Sequence, residues 1–145
     1  MIFYRLRNQN NPNVSLGLTT STWYGILELA ENNGWNPMGT LPPDSDDAGM
    51  FLAGMGSREA HLWSGEYWSA QGGLVMLEDA LNLADALERA LLNYEPRYIP
   101  SLYYYTIFGE NDRVNGSQPS LGSIQGVIDL CFLGEFKIEK AWSRL

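Results

Sequence analysis

Residues 74–96, LVMLEDALNLADALERALLNYEP, contain the strongest secondary-structure signal in the chain. Apolar side chains recur there at spacings of three and four residues, which is the pattern of one continuous face on an α-helix. The members of this stripe are Leu77, Ala80, Ala84, Leu87, Leu91 and Tyr94. Alanines in such a stripe let a neighbouring element approach closely. The segment therefore predicts a long helix, ended by Pro96, that packs tightly against another part of the protein.

Both ends of the chain alternate between apolar and polar residues, as half-buried strands do. The first strand, MIFYRLR, would have one face made of Ile2, Tyr4 and Leu6 and another made of Phe3, Arg5 and Arg7. Near the carboxyl end, the segment EFKIE places Phe136 and Ile138 inward and Lys137 and Glu139 outward. Two strands are therefore expected, one at each end.

Two further helices are predicted from apolar stripes preceded by hydroxyl side chains, which cap helix amino termini. Thr20, Ser21 or Thr22 would cap the first helix and Ser120 or Ser123 the second, and Gly34 and Gly134 would end them in the left-handed conformation. The inward stripes are Trp23, Ile26, Leu27 and Ala30 in the first helix and Ile124, Val127, Ile128 and Cys131 in the second.

Helices and strands do not alternate regularly, which favours an α+β arrangement over a doubly wound parallel sheet. We expect a small, mainly antiparallel sheet packed with about three helices. The length of 145 residues is typical of one domain, here residues 1–145. Residues 99–108 are rich in tyrosine but contain Pro100, so they are either an edge strand or an extended arm.

The chain is acidic, with 17 Asp and Glu residues against nine Lys and Arg and a net charge of −8. Such a charge repels phosphate backbones and anionic lipid, and Lys137 and Lys140 have acids beside them rather than a basic patch. A nucleic-acid partner is therefore disfavoured. No run reaches the roughly 18 apolar residues of a membrane span, and no export signal opens the chain, so we expect a cytoplasmic location and no membrane association.

The residue types that most often bind metals are scarce, because the chain has one histidine and one cysteine. The DSDDAG segment from Asp44 resembles a calcium loop, but Ala48 and Met55 occupy two positions where that loop needs a side-chain oxygen. The single histidine and the single cysteine, Cys131, are far apart, and Cys131 lies in an apolar stripe that predicts a buried thiol. We therefore expect no cofactor, no metal site and no catalytic residue.

The segment WSGEYWSAQGG, residues 63–73, is the most unusual stretch, because Trp63, Tyr67 and Trp68 are separated by small and polar residues. The first interpretation is that at least one tryptophan packs into the core beside the long helix. The second is that the three rings, with Glu66, form the rim of a binding surface, since Trp and Tyr are enriched at interface hot spots.

Residues 65–92 and 128–138 resemble small acidic bacterial proteins of uncharacterised families. In those proteins a G-x-Y turn, here Gly65 to Tyr67, precedes a helix that begins with E-D-A, here Glu78 to Ala80. Their chains close with a phenylalanine-rich helix and a short strand, similar to FLGEF at residues 132–136. Some of these proteins are thought to be immunity or accessory proteins of toxin systems, so the resemblance implies such a role.

The sequence thus favours a non-enzymatic protein-binding module, with an immunity or inhibitor protein for a basic partner as its more specific form. Its predicted contact residues are Asp44, Asp46, Asp47, Trp63, Glu66, Tyr67 and Trp68. One alternative is a small hydrolase or ligand-binding domain centred on His61, Glu59 and the neighbouring aromatic rings. Another is a structural protein that forms homo-oligomers through Tyr103 to Tyr105.

Overall fold

The computed structural model describes residues 2–42, 65–68, 73–94 and 118–142. Its elements, in chain order, are β1 (Ile2–Asn8), β2 (Ser15–Thr19), α1 (Thr20–Asn32), β3 (Gly73–Val75), α2 (Leu77–Leu91), α3 (Leu121–Phe132) and β4 (Phe136–Trp142). The four strands form an antiparallel sheet in the order β2-β1-β4-β3. The described part of the chain therefore has the predicted α+β fold class, with three helices and a small antiparallel sheet.

The two predicted strands pair with each other at the centre of this sheet. Leu6 of β1 lies opposite Ile138 of β4, and both are buried. Tyr4 and Phe136 are also fully buried on the same face. The charged residues on the other face are half-buried, so the predicted alternation is confirmed in both strands.

The hairpin that joins β1 to β2 was not predicted. The Oδ1 atom of Asn8 accepts hydrogen bonds from the backbone amides of Asn10, at 3.0 Å, and Asn11, at 2.7 Å, and so closes the turn. Its Nδ2 atom donates to the carbonyl of Leu133 at 3.2 Å. The asparagine-rich segment therefore forms the loop of this hairpin and also ties the hairpin to the end of α3.

The helix ends follow the predicted chemistry with one shift. Thr19, one residue before the predicted candidates, caps α1 by accepting a hydrogen bond from an amide in the first turn. Ser120 caps α3 as predicted. Gly34 and Gly134 follow these helices with φ angles of +97° and +118°, in the left-handed region that favours glycine.

The buried face of helix α2 is rotated about the helix axis relative to the predicted apolar stripe. Ala80, Ala84 and Leu87 are buried as expected, but Leu77 is 49% exposed, and Leu91 and Tyr94 are only partly buried. The buried face extends instead to a second row made of Asp79, Leu83, Ala86 and Ala90. The predicted helical segment includes Leu74 and Val75, but the structure places these two residues in β3. The helix itself begins at Leu77.

One core connects the sheet to all three helices. It includes Tyr4 and Leu6 of the sheet, Trp23 of α1, Leu83 of α2 and Ile128 of α3. Helix α2 packs against both α1 and α3. Within the described ranges, no helix combines the length and the apolar character that crossing a bilayer requires.

Candidate functional site

The predicted contact residues fall into two groups. Asp44, Asp46, Asp47 and Trp63 lie outside the described residues, as do Glu59, His61 and residues 103–105 of the two alternative hypotheses. The structure places only Glu66, Tyr67 and Trp68. Glu66 and Trp68 are half-buried, and Trp68 packs against the core, whereas Tyr67 is buried.

Tyr67 is a core residue with 4% of its surface exposed. Its ring meets Trp35 edge-on, with 5.0 Å between the ring centroids. Its hydroxyl donates to Oδ2 of Asp79 at 2.5 Å and accepts from the backbone amide of Gly39 at 2.9 Å. Because the ring is enclosed, we do not retain Tyr67 among the residues proposed to contact a partner.

Asp79 is the buried centre of this arrangement, which we call the Asp79 cluster and define as Trp35, Tyr67 and Asp79. The side chain of Asp79 has no exposed surface, although it lies in the first turn of α2. Its Oδ1 atom accepts from Nε1 of Trp35 at 3.0 Å and from the amide of Met38 at 3.4 Å. A buried carboxyl group is tolerated when hydrogen bonds replace its water, and the cluster supplies them.

The burial of Asp79 was not predicted from the sequence. A signal for its burial exists in the spacing of Asp79, Leu83, Ala86 and Ala90, which is four, three and four residues. This second row competes with the predicted one, although it begins with an acidic residue. The donors that make the burial possible, Trp35 and Tyr67, are distant in sequence.

The backbone of residues 65–68 is also bound by core side chains. Nε1 of Trp23 donates to the carbonyl of Tyr67 at 2.8 Å, and the hydroxyl of Tyr4 donates to the carbonyl of Trp68 at 2.9 Å. Thr40 donates to the carbonyl of Glu66 at 2.8 Å. The segment therefore links the sheet, α1 and α2, which is a structural role for part of the aromatic stretch.

Burial keeps two ionisable groups neutral, Tyr67 in the Asp79 cluster and Cys131 in α3. Burial, the hydrogen bond to Asp79 and the charge of Asp79 raise the pKa of Tyr67 far above its ordinary value, so the hydroxyl stays a neutral donor. Burial, with a smaller contribution from Asp79, raises the pKa of the Cys131 thiol to about 12. A protonated thiol is a poor nucleophile, and Cys131 is also buried.

A small polar cleft lies where α1 ends beside α2. It has a volume of about 240 Å³ and is lined by Gly34, Asn36, Asn82, Asp85 and Arg89. Ligand pockets are usually larger, from roughly 300 Å³, and mostly apolar. The guanidinium of Arg89 is already bound to Asp85 and to the carbonyl of Asn33. Among the described residues, no group of three or more His, Cys, Asp or Glu side chains is arranged to hold a metal ion.

Charge is divided between the helices and the sheet. The three helices contain seven acidic residues and one basic residue, Arg89. The strands contain Arg5, Arg7, Lys137 and Lys140 and one acid, Glu139. Strand pairing brings Lys137 opposite Arg7, which the sequence had not suggested, and Glu139 lies 3.6 Å from Arg7 on the same face. The acidic charge of the described elements is therefore concentrated on the helical layer.

No protein-family model, curated protein or solved structure matches the chain. The resemblance to immunity and accessory proteins of toxin systems therefore stays a hypothesis.

Proposed function

We propose that the protein is a non-enzymatic protein-binding module whose acidic helical layer faces a basic partner. The observation that supports it is the division of charge between the two layers, with six exposed acids and one base in the helices, Asp79 being buried, and four bases against one acid in the strands. Complementary charge of this kind speeds association and sets specificity. The more specific form of the proposal is an immunity or inhibitor protein that neutralises a basic toxin-like protein.

Affinity purification from the source cells, with two charge variants of the tagged chain, tests this function. Glu78→Gln with Glu88→Gln removes two exposed charges from the helical layer. Glu135→Gln with Glu139→Gln removes two charges at and just before β4, so the net charge changes equally. We expect a stoichiometric basic protein to be captured, to be released by salt, and to associate several-fold more slowly with the helix variant only.

Two results would contradict the proposal. One is the absence of any stoichiometric basic protein at low ionic strength. The other is equal slowing by both pairs of substitutions, because that outcome would reflect net charge rather than the helical layer. The immunity form requires in addition that the captured protein is toxic when expressed alone and harmless when expressed together with this chain.

A further inference from the structure

Most of the exposed large apolar side chains among the described residues belong to α2 and α3. They are Met38, Leu77, Leu81, Leu92, Leu121, Phe132 and Leu133, with exposures from 40% to 79%. Six belong to α2, α3 or the residue that follows each helix, and the backbone amide of Met38 donates to Asp79 in the first turn of α2. Clustered apolar exposure of this kind marks interaction sites.

The contacts of α2 show which side of the helix these leucines occupy. The side that faces α1 is identified by Arg89, which donates to the carbonyl of Asn33, and by Asp79, which accepts from Trp35. Helix α3 therefore packs on the opposite side of the buried face, where Ala80 and Ala84 allow a close approach.

Leu77, Leu81 and Leu92 form an exposed row on α2. They are four and eleven residues apart, which is about one and three helical turns, so the three side chains share one row. That row adjoins Ala80 and Ala84 and thus lies beside α3.

Helix α3 has a matching exposed row. Its Gly126 faces Leu16 of β2, since a Cβ atom at Gly126 would lie 3.2 Å from the Leu16 side chain. The opposite edge of its buried face, with Ile124 and Ile128, then packs against α2. Leu121 and Phe132 are eleven residues apart and adjoin that edge.

The two helices run antiparallel, which brings the rows together. The Tyr94 hydroxyl, just beyond α2, donates to the carbonyl of Pro119, just before α3, at 2.7 Å. Leu92 therefore lies towards Leu121, and Leu77 and Leu81 lie towards Phe132. We call these five side chains, Leu77, Leu81, Leu92, Leu121 and Phe132, the α2/α3 strip.

The charges around the strip indicate what can bind there. Glu78 and Asp85 of α2 and Asp129 of α3 are exposed beside it, and Arg89 is already paired with Asp85. Glu88 is exposed within the α2 row itself, seven residues after Leu81 and four before Leu92. A second copy bound through the same strip would bring these acids against each other. An amphipathic helix with an apolar stripe flanked by Lys and Arg instead matches both the leucines and the acids.

We propose that the α2/α3 strip is the docking site for a basic amphipathic helix of the partner protein. This inference rests on the proposed function, because it names the surface and the partner element through which the acidic layer would act. Apolar anchors on the partner helix would pack between Leu81 and Phe132, and its cations would pair with the acids alongside.

A synthetic helical peptide of roughly 18 residues, with leucines at spacings of three and four and lysines at the other positions, is the probe. Its control has glutamate in place of every lysine. Backbone amide shifts are followed by NMR during titration, and affinity is measured by fluorescence anisotropy. We expect the lysine peptide to shift amides of α2 and α3 but not of β1 and β2, and the glutamate peptide to produce no shifts.

Two sets of variants locate the contact. Leu81→Gln with Phe132→Gln should weaken binding of the lysine peptide at least about tenfold. Glu88→Gln should weaken it several-fold, while Glu31→Gln on α1, which removes the same charge, should leave it unchanged. Circular dichroism checks that each variant keeps its helical content.

The inference is overturned if the lysine peptide causes no shifts, if shifts appear on the sheet, or if the double variant binds as tightly as the original chain. Sedimentation that shows a dimer dissociated by Leu81→Gln would also overturn it, because the occupant would then be a second copy. If the basic protein captured in the affinity experiment still binds the double variant, the strip is wrong while the proposed function stands. If no basic protein is captured at all, the function itself fails.

Discussion

Helix α2 has leucine and acidic residues on both its buried and its exposed faces. Leu83 and Asp79 are fully buried, whereas Leu81 is 40% exposed and Glu88 is exposed. The buried acid is satisfied by donors from Trp35 and Tyr67. The comparison shows that residue type alone does not identify the core face of this helix. The hydrogen-bond donors supplied by distant segments allow the face that contains Asp79 to be buried.

The largest difference between a buried and an exposed position is expected in the reactivity of a cysteine thiol. Cys131 has a pKa of about 12 because it is buried, so at pH 8 its thiolate fraction is about a thousandfold lower than that of an ordinary thiol. In a Cys131→Ala background, Leu81→Cys places a thiol on the exposed face. Labelling with a disulfide reagent at pH 8 should be about a thousandfold faster for Leu81→Cys than for native Cys131.

The same thiol has a consequence for stability at high pH. Its pKa is raised in the folded state, so its contribution to folding is complete below about 9 and declines as pH rises towards about 12. Cys131→Ala should therefore lose less stability over that range than the native chain. Equal labelling rates, or equal pH dependence, would show that Cys131 is accessible.

Leucine truncation compares the two faces directly. Leu83→Ala creates a cavity in the core and should lower the free energy of unfolding by about 3 kcal/mol. Leu81→Ala, two residues away on the same helix, should cost less than about 1 kcal/mol. Urea denaturation measures both values, and similar losses would mean that the exposed face is covered.

Carboxylate truncation is the second comparison on α2. Asp79→Ala leaves the Trp35 and Tyr67 donors buried without an acceptor, at an expected cost of about 3 kcal/mol or slightly less. Glu88→Ala removes the same group from the exposed face and should change stability by no more than about 0.5 kcal/mol. Thermal and urea unfolding would contradict this account if the two losses were alike.

The smallest effect is expected for single hydroxyl groups. Tyr67→Phe keeps the ring but removes the donor to Asp79 and the acceptor for the Gly39 amide, which should cost roughly 1 to 2 kcal/mol. Tyr24→Phe removes only a hydroxyl that shares a 3.2 Å hydrogen bond with Tyr4, and should cost about 0.5 kcal/mol. A Tyr67→Phe variant as stable as Tyr24→Phe would show that the Asp79 cluster contributes little.

Much of the candidate surface was hidden from sequence reasoning for the same reason as the Asp79 cluster. Leu77 was assigned to the inward stripe of α2, yet it is 49% exposed beside α3. Phe132 gave no sign of lying towards Leu77, nor Leu121 of lying towards Leu92, because these neighbours depend on the antiparallel packing of two helices far apart in the chain. The predicted rim residue Tyr67 proved to be enclosed, since its ring and hydroxyl both find partners in the core.

Local signals were sufficient for the helices, for the caps and ends of α3, and for the alternation of β1 and β4, because each depends on residues within a few positions of one another. The pairing of β2 and β3 with the central strands, the rotation of α2 and the burial of Asp79 depend on contacts between distant segments. Asp79 and its donor Trp35 are 44 residues apart. Only the tertiary structure brings such groups together, and it is this long-range satisfaction of polar groups that separates the core of the protein from its candidate binding face.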